Sequence, residues 1–407
     1  MTWALTTIAV LLIAYAAVSK RLQRANVSNA IFFTTTGLLA GPVLGLLDVE
    51  VESEQVKVLA EITLTLVLFA DASRISLGPL RREFVVPLRL LGIALPLTIA
   101  AGTLAGALVI PGVGLAEALV LAVVLACTDA ALGQAVVSDE RIPSRVRQGL
   151  NVESGLNDGL CVPIFFIAIA VAEAEAGTTS GHAASNLVLE QIGYGLVGGV
   201  LAGIAGAVAL RVAAPRDLIA PHWLQILTAA SALLAAGIAS GLGGSIFIAA
   251  FAGGFLFGAL RQEAGGEVSR LVDEGGEFFD AVTFIVFGAL ILGPLLDEVS
   301  WQVALYAVLS LSVVRMLPVA LALLGTGARR QTVAFLGWFG PRGLASIVFA
   351  VILLDDADLP HLDSLLLAIT VTIGLSVYVH GATAGPLTER YVRWSASHPR
   401  DASSLER

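Results

Sequence analysis

Two aspartates interrupt apolar sequence in this chain: Asp129, in Ala126-Cys127-Thr128-Asp129, and Asp158, in Glu153-Ser154-Gly155-Leu156-Asn157-Asp158-Gly159. Residues four apart share a helix face. Ser154 therefore stacks with Asp158, and Glu153 stacks with Asn157 on a face about 100° round. Oxygen-only donors suit a hard cation, not copper or zinc. Two carboxylates, a hydroxyl and carbonyls freed by a loosened helix could hold a small dehydrated monovalent ion. The same carboxylates take up protons, so cation and proton would compete for one site.

Charge at bilayer depth costs about 2.5–3.5 kcal/mol even on the mildest scale, which makes each such group a functional candidate. Glu153 needs a neutralising partner, and Arg342, in Gly340-Pro341-Arg342-Gly343, is the strongest candidate for a bidentate pair. A paired Glu153 is structural and does not bind the ion. Plainer readings stay open: Asp129 as the cap of a helix break, and Asp158 paired with Arg342 in place of Glu153. Arg315 is read as snorkelling from its helix to the cytoplasmic surface. Asp71 lies beside Arg74, so a solvated ion pair is its default, and Glu61 is ambiguous. His380 reads as a packed or capping residue, because no second His or Cys stands at ligand spacing. The glycines between Gly193 and Gly206, and Gly253-Gly254, read as close helix packing.

The elements that must position these residues follow from composition. Of 407 residues, 57% are hydrophobic and 14% charged, with mean hydropathy +0.88. Soluble domains carry about 25% charged residues, so a soluble enzyme, a nucleic-acid binder and a disordered chain are excluded. Apolar segments fall at roughly 3–18, 28–47, 56–72, 84–110, 115–137, 148–172, 187–211, 222–241, 243–260, 277–296, 301–324, 331–354 and 363–386. Cytoplasmic loops collect Lys and Arg. Nineteen of the 23 basic residues follow odd-numbered segments: Lys20, Arg21 and Arg24, then Arg74, Arg81 and Arg82, and so on to Arg390, Arg393, Arg400 and Arg407. Loops after even-numbered segments hold Lys57 and acids such as Asp48, Glu50, Glu52, Glu54, Asp355, Asp356 and Asp358.

The alternation predicts an all-α membrane protein of thirteen transmembrane helices, N-terminus outside and C-terminus cytoplasmic. Basic residues follow the first apolar run and do not precede it, which fits a first transmembrane helix better than a cleaved signal peptide. Cys127 and Cys161 lie in apolar segments and imply no disulfide framework. Thirteen factors as six, a linker and six. The odd offset makes the second set inverted, a common transporter construction with its site where broken helices meet near mid-membrane. The expected organisation is a transmembrane domain over 1–390 and a short cytoplasmic tail over 391–407. Within the former, repeat one spans about 3–172, the linker helix about 187–211 and repeat two about 222–386.

At Thr128-Asp129, Glu153-Ser154-x-x-Asn157-Asp158-Gly159, Gly340-Pro341-Arg342-Gly343 and Val379-His380-Gly381, the chain resembles the monovalent cation/proton antiporters. The likeness is to the sodium/proton exchangers with an Asn-Asp pair on helix 6, the prokaryotic NhaP type and its animal relatives. The resemblance covers nearly the whole chain. It implies a core domain moving against a dimerisation domain in an elevator-like alternation, in a homodimer with helices 1 and 7 as the interface. Asp158 is implied as principal carrier of ion and proton, with Asp129, Ser154 and the Thr128 carbonyl completing the shell. Also implied are a Glu153–Arg342 ion pair, Asn157 orienting Asp129, and Asp71 as a second-tier position reaching the ion through water. Many relatives continue Thr-Asp with Pro where Ala130 stands here. The tail lacks the large regulatory domain of the animal exchangers, which makes calmodulin-like control unexpected.

The expected function is secondary active antiport of Na⁺ (with Li⁺ or K⁺ as further candidates) against H⁺ across a prokaryotic inner membrane. With Asn157 in place of a second acid, the expectation is an electroneutral one-for-one exchange without cofactor, enzymatic activity or nucleic-acid partner. Two rival functions make different demands on the site. An organic-solute or anion transporter on the same scaffold should show cationic binding groups, and this site is acidic. An intramembrane aspartyl protease should carry Gly-x-Gly-Asp, but Gly155 to Asp158 reads Gly-Leu-Asn-Asp.

Overall fold

The computed structural model describes residues 2–25, 27–47, 54–75, 85–129, 132–178, 181–261 and 270–398. Asp48, Glu50, Glu52, Arg81, Arg82, Ala130, Arg400 and Arg407 lie outside the described residues. Each of the thirteen apolar segments carries helix. In chain order these are α1 (Thr2–Arg24), α2 (Asn29–Leu38, running on into a π-helical turn Leu39–Val43), α3 (Glu54–Arg74), α4 (Val85–Arg89) and, after a π-helical turn Leu90–Ala94, α5 (Leu95–Val109). Next come α6 (Leu115–Val124), α7 (Gln134–Val137), α8 (Ser144–Ala176), α9 (Gly181–Ala213), α10 (Pro221–Leu242), α11 (Ile246–Leu260) and α12 (Arg270–Val286). A π-helical turn Phe287–Leu292 leads to α13 (Gly293–Leu295), then α14 (Trp301–Leu311), α15 (Val313–Ala322), α16 (Arg330–Trp338), α17 (Leu344–Asp356) and α18 (Leu362–Ser397). Eight of the described helices are long and apolar enough to cross a bilayer.

Local chemistry sets the ends of these helices. The first N–H groups of a helix lack intrahelical partners, and a Ser side chain can accept from one of them. Ser28 accepts from Ile31 N–H (3.3 Å) at α2, Ser245 from Ile248 N–H (3.4 Å) at α11, and Ser300 from Val303 N–H (3.4 Å) at α14. Gly243 ends α10 with φ +81°, a conformation that L side chains rarely adopt.

The chain divides into two compact units. The first comprises 1–57, 84–157 and 281–407. One part of its core gathers Val86, Leu90, Val136, Ile142, Val146, Val319, Leu336 and Tyr391. Inside this unit α18 extends to Ser397, past residue 390, and its end packs on α16. The Tyr391 ring stacks on Phe335 at 4.2 Å, the Tyr391 and Thr332 hydroxyls are 3.0 Å apart, and the Arg329 guanidinium lies 5.9 Å from the Trp394 ring centroid.

The second unit comprises 58–83 and 158–280. Here the glycine-rich segments pack closely, as expected. A Cβ on Gly199 would stand 2.5 Å from the Ala249 carbonyl oxygen, and one on Gly203 would stand 2.6 Å from that of Gly253. Only glycine lets α9 and α11 approach so closely, and such contacts hold helices together where lipid supplies no hydrophobic drive.

Candidate functional site

Both helix breaks of the first unit follow from its sequence. Pro341 has no N–H, its ring clashes with a continuing helix, and glycines flank the Pro341-Arg342 pair. The chain therefore leaves α16 at Trp338 and re-enters helix at Leu344. In the other break α6 stops at Val124, and 127–129 run without helix. A broken helix exposes carbonyls at one stump and N–H groups at the next, and buried backbone groups of this kind must find partners.

The two breaks supply partners to each other. Asp129 N–H donates to Pro341 O at 2.8 Å. Leu344 N–H, at the start of α17, donates to Asp129 Oδ2 at 3.0 Å, and Leu132 N–H donates to Oδ1 at 3.3 Å. Arg342 Nη1 donates to Cys127 O (3.2 Å) and reaches Ala126 O (3.5 Å), while Ser346 Oγ donates to Val124 O (2.7 Å). An anion thus sits at the N-terminal end of α17 and a cation at the C-terminal end of α6, which is the favourable sense for both helix dipoles. The capping reading of Asp129 describes part of what the residue does.

Gly343 makes this possible by its lack of a side chain, since a Cβ there would overlap the Asp129 carboxylate. Gly343→Ala should therefore displace the carboxylate and cut cation-driven proton flux by on the order of ten- to a hundredfold. Gly237→Ala, where the Cβ meets open space, is the control. Equal fluxes from both variants would show that the position of Asp129 does not matter.

Beside the crossing, α8 has the expected register. Glu153 and Asn157 are 2% and 1% exposed, and Ser154 is buried on the neighbouring face. Thr128 Oγ1 lies 3.2 Å from Ser154 Oγ and accepts from Asn157 Nδ2 at 2.6 Å. The amide expected to orient Asp129 thus bonds to Thr128, while backbone N–H groups hold the aspartate. Asp158 follows Ser154 by one helical turn on α8, is half-buried, and begins the second unit. Asp71, on α3 of that unit, pairs with Arg74 at 3.3 Å, with side chains 25% and 45% exposed, the solvated pair expected from their spacing.

The structure corrects the partner of Glu153. The ion pair is with Arg315, Nη1 to Oε1 at 2.5 Å, both side chains 2% exposed. Arg342 does not form it, because its guanidinium is turned toward the α6 carbonyls. Arg315 is therefore no snorkelling side chain. Arg315 reaches across from α15 and packs on Gly340, where a Cβ would stand 2.6 Å from Nε. Sequence reading missed this residue. The signal was present, since no Asp or Glu occurs from Val299 to Leu354, so the charge of Arg315 had to be met from another segment.

His380 completes the surround as a capping residue. Its Nε2–H donates to Trp338 O at 3.0 Å, which makes Nδ1 the acceptor from Ser376 Oγ, also at 3.0 Å. Ser376 Oγ in turn accepts Arg342 N–H at 2.7 Å.

The sequence profile of the transmembrane sodium/hydrogen exchangers matches residues 8–390. The chain belongs to the sodium/hydrogen exchanger family. This is a family of transporters, so the protease reading falls. Among relatives of this chain is Na(+)/H(+) antiporter 2 of Zygosaccharomyces rouxii, 26% identical over 60% of this chain and 32% of the relative. Another is K(+)/H(+) antiporter NhaP of Alkalimonas amylolytica, 26% identical over 78% of this chain and 55% of the relative. The chain thus spans from a third to about half the length of these curated relatives. Its fold is similar to that of the sodium proton antiporter MjNhaP1 from Methanocaldococcus jannaschii, with TM-score 0.75 at 22% identity, covering 96% of this chain and 98% of the other. The chain is thus an all-α, multi-pass membrane protein with the antiporter fold.

Proposed function

We propose that this exchanger trades Na⁺ for H⁺ by letting the two compete for Asp158 and Asp129. The observation that carries the reading is the crossing. A carboxylate fixed by backbone N–H groups stands next to the Thr128–Ser154 hydroxyl pair, and the same helix presents Asp158 one turn further on. In this reading Asp158 is the mobile carrier, Asp129 a preorganised second charge, and Ser154 and the Thr128 carbonyl neutral ligands. Na⁺ is favoured because most of the named relatives are Na(+)/H(+) antiporters or exchangers. The relative named as a K(+)/H(+) antiporter keeps K⁺ as the second candidate.

Glu153 is engaged by Arg315, and the acid's neighbour on α8 is the neutral Asn157. One carrier carboxylate then exchanges one cation for one proton, and the cycle is electroneutral. Access alternates by elevator-like movement of the crossing within a homodimer, in a prokaryotic cell membrane, with the acidic loops outside and the basic loops and C-terminus inside. Adding Na⁺, Li⁺, K⁺ or choline to the detergent-solubilised protein in weak buffer tests the core of this. Na⁺ or Li⁺ should release protons and choline should not. No release with any alkali cation would refute competition. A transport rate that climbs with imposed membrane potential would refute electroneutrality.

Activation by pH should not reside in the cytoplasmic charge cluster. Arg141 Nη2 bonds to Asp139 Oδ2 (2.7 Å) and Glu389 Oε1 (2.5 Å). The Arg141 side-chain bonds hold the Asp139 carboxyl below its ordinary range, assisted by the Arg141 backbone N–H. A depressed carboxylate contributes stability above its unfolded value, about 3.9, and loses it only as pH falls through the lower folded value. With its carboxyl held below the ordinary range, Asp139 stays ionised between about pH 5 and 8, so Asp139→Asn should leave the pH–rate profile in proteoliposomes unmoved. A displaced midpoint would assign Asp139 a sensing role.

A further inference from the structure

An apolar groove of about 850 Å³ runs between α15 and α16, in the first unit, lined by Met316, Leu317, Ala320, Leu323 and Val333. The turn containing Gly325 (φ +76°) and Gly327 (φ +74°) closes one end. Three arginines stand at that end. Arg330 is exposed and has no hydrogen bond or ion pair with another described residue. Arg89 Nη1 donates to the carbonyls of Ala322 (2.9 Å) and Leu324 (2.5 Å), and Arg329 lies over the Trp394 ring. The stretch that carries Arg330, from Val299 to Leu354, includes no Asp or Glu.

We propose that this groove is a binding site for an anionic phospholipid, its acyl chain along Met316, Leu317 and Ala320 and its phosphodiester on Arg330. The volume falls in the range of small-molecule pockets, about 300–1,000 Å³. The apolar wall alone would accept any acyl chain. Arg330 selects the anionic headgroup, since a basic residue near a membrane surface favours anionic lipid about fivefold.

The test uses the full chain purified from mixed phosphatidylglycerol and phosphatidylcholine, with retained lipid counted by native mass spectrometry. The wild type should retain phosphatidylglycerol over phosphatidylcholine by roughly fivefold or more. Arg330→Gln should remove most of that preference, and Ala334→Trp, an exposed lining position, should lower retention of both lipids by filling the groove. Soluble glycerophosphoglycerol, a headgroup without chains, should not bind. An unchanged lipid ratio in Arg330→Gln would overturn the proposal. So would binding of the chainless headgroup, or a protein copurifying stoichiometrically on this face and lost on Ala334→Trp. Because the readout is lipid retention, it is independent of whether the protein exchanges Na⁺ for H⁺.

Discussion

Asp158→Asn should reduce Na⁺-driven proton flux in proteoliposomes to the background of empty vesicles. Asparagine keeps the size and one carbonyl oxygen of aspartate but gives up both the exchangeable proton and the negative charge. If cation and proton compete for this group, no stoichiometry survives its loss, and the Na⁺-triggered proton release from the solubilised protein vanishes with the flux. Asp129→Asn should behave differently. Its Oδ2 caps α17 through Leu344 N–H, and an amide oxygen can still accept that bond, so folding should hold while cation affinity falls. Full flux from Asp158→Asn would remove the carrier assignment and leave Asp129 as the sole candidate.

The second large effect concerns stability. Removing one partner of a buried ion pair strands the other charge, at about 3–5 kcal/mol. Glu153→Gln should therefore lower unfolding stability by that order, with the buried Arg315 guanidinium left without its carboxylate. A double-mutant cycle identifies the partner. Coupling between Glu153 and Arg315 should fall within about 0.5–3 kcal/mol, whereas Glu153 and Arg342 should be additive within about 0.5 kcal/mol. Denaturant unfolding in detergent supplies the numbers. The reverse pattern would restore the pairing that the family resemblance implied. Cation affinity should change far less than stability in Glu153→Gln, as expected of a residue that does not touch the ion.

Hydropathy was enough to place the helices, because a bilayer-spanning run must satisfy its backbone internally and stay apolar over its length. The break at Gly340-Pro341-Arg342-Gly343 was legible for a covalent reason, the missing N–H of Pro341. The α8 register was legible because positions four apart must share a face. The choice between Arg315 and Arg342 was not. It depends on which guanidinium is already occupied by carbonyls, and those carbonyls belong to α6, far away in sequence. An arginine a few turns from a helix end can also reach water by its own length, so nothing local told Arg315 to turn inward. Asn157 failed the same way, since the amide has two acceptors within its neighbourhood, Thr128 and Asp129, and only the packed crossing decides between them.

The reciprocal bonding of the two breaks has a consequence for how the protein is made. Asp129 and Leu344 are 215 residues apart in the chain. At about 5–20 residues per second, the ribosome needs roughly 10–40 s to produce the second after the first. Throughout that interval the α6 stump sits in the membrane with its Val124, Ala126 and Cys127 carbonyls lacking the donors Ser346 and Arg342. A nascent chain halted before residue 340 should consequently be more vulnerable to membrane quality-control proteases than one halted after 350, although both contain α6 entire.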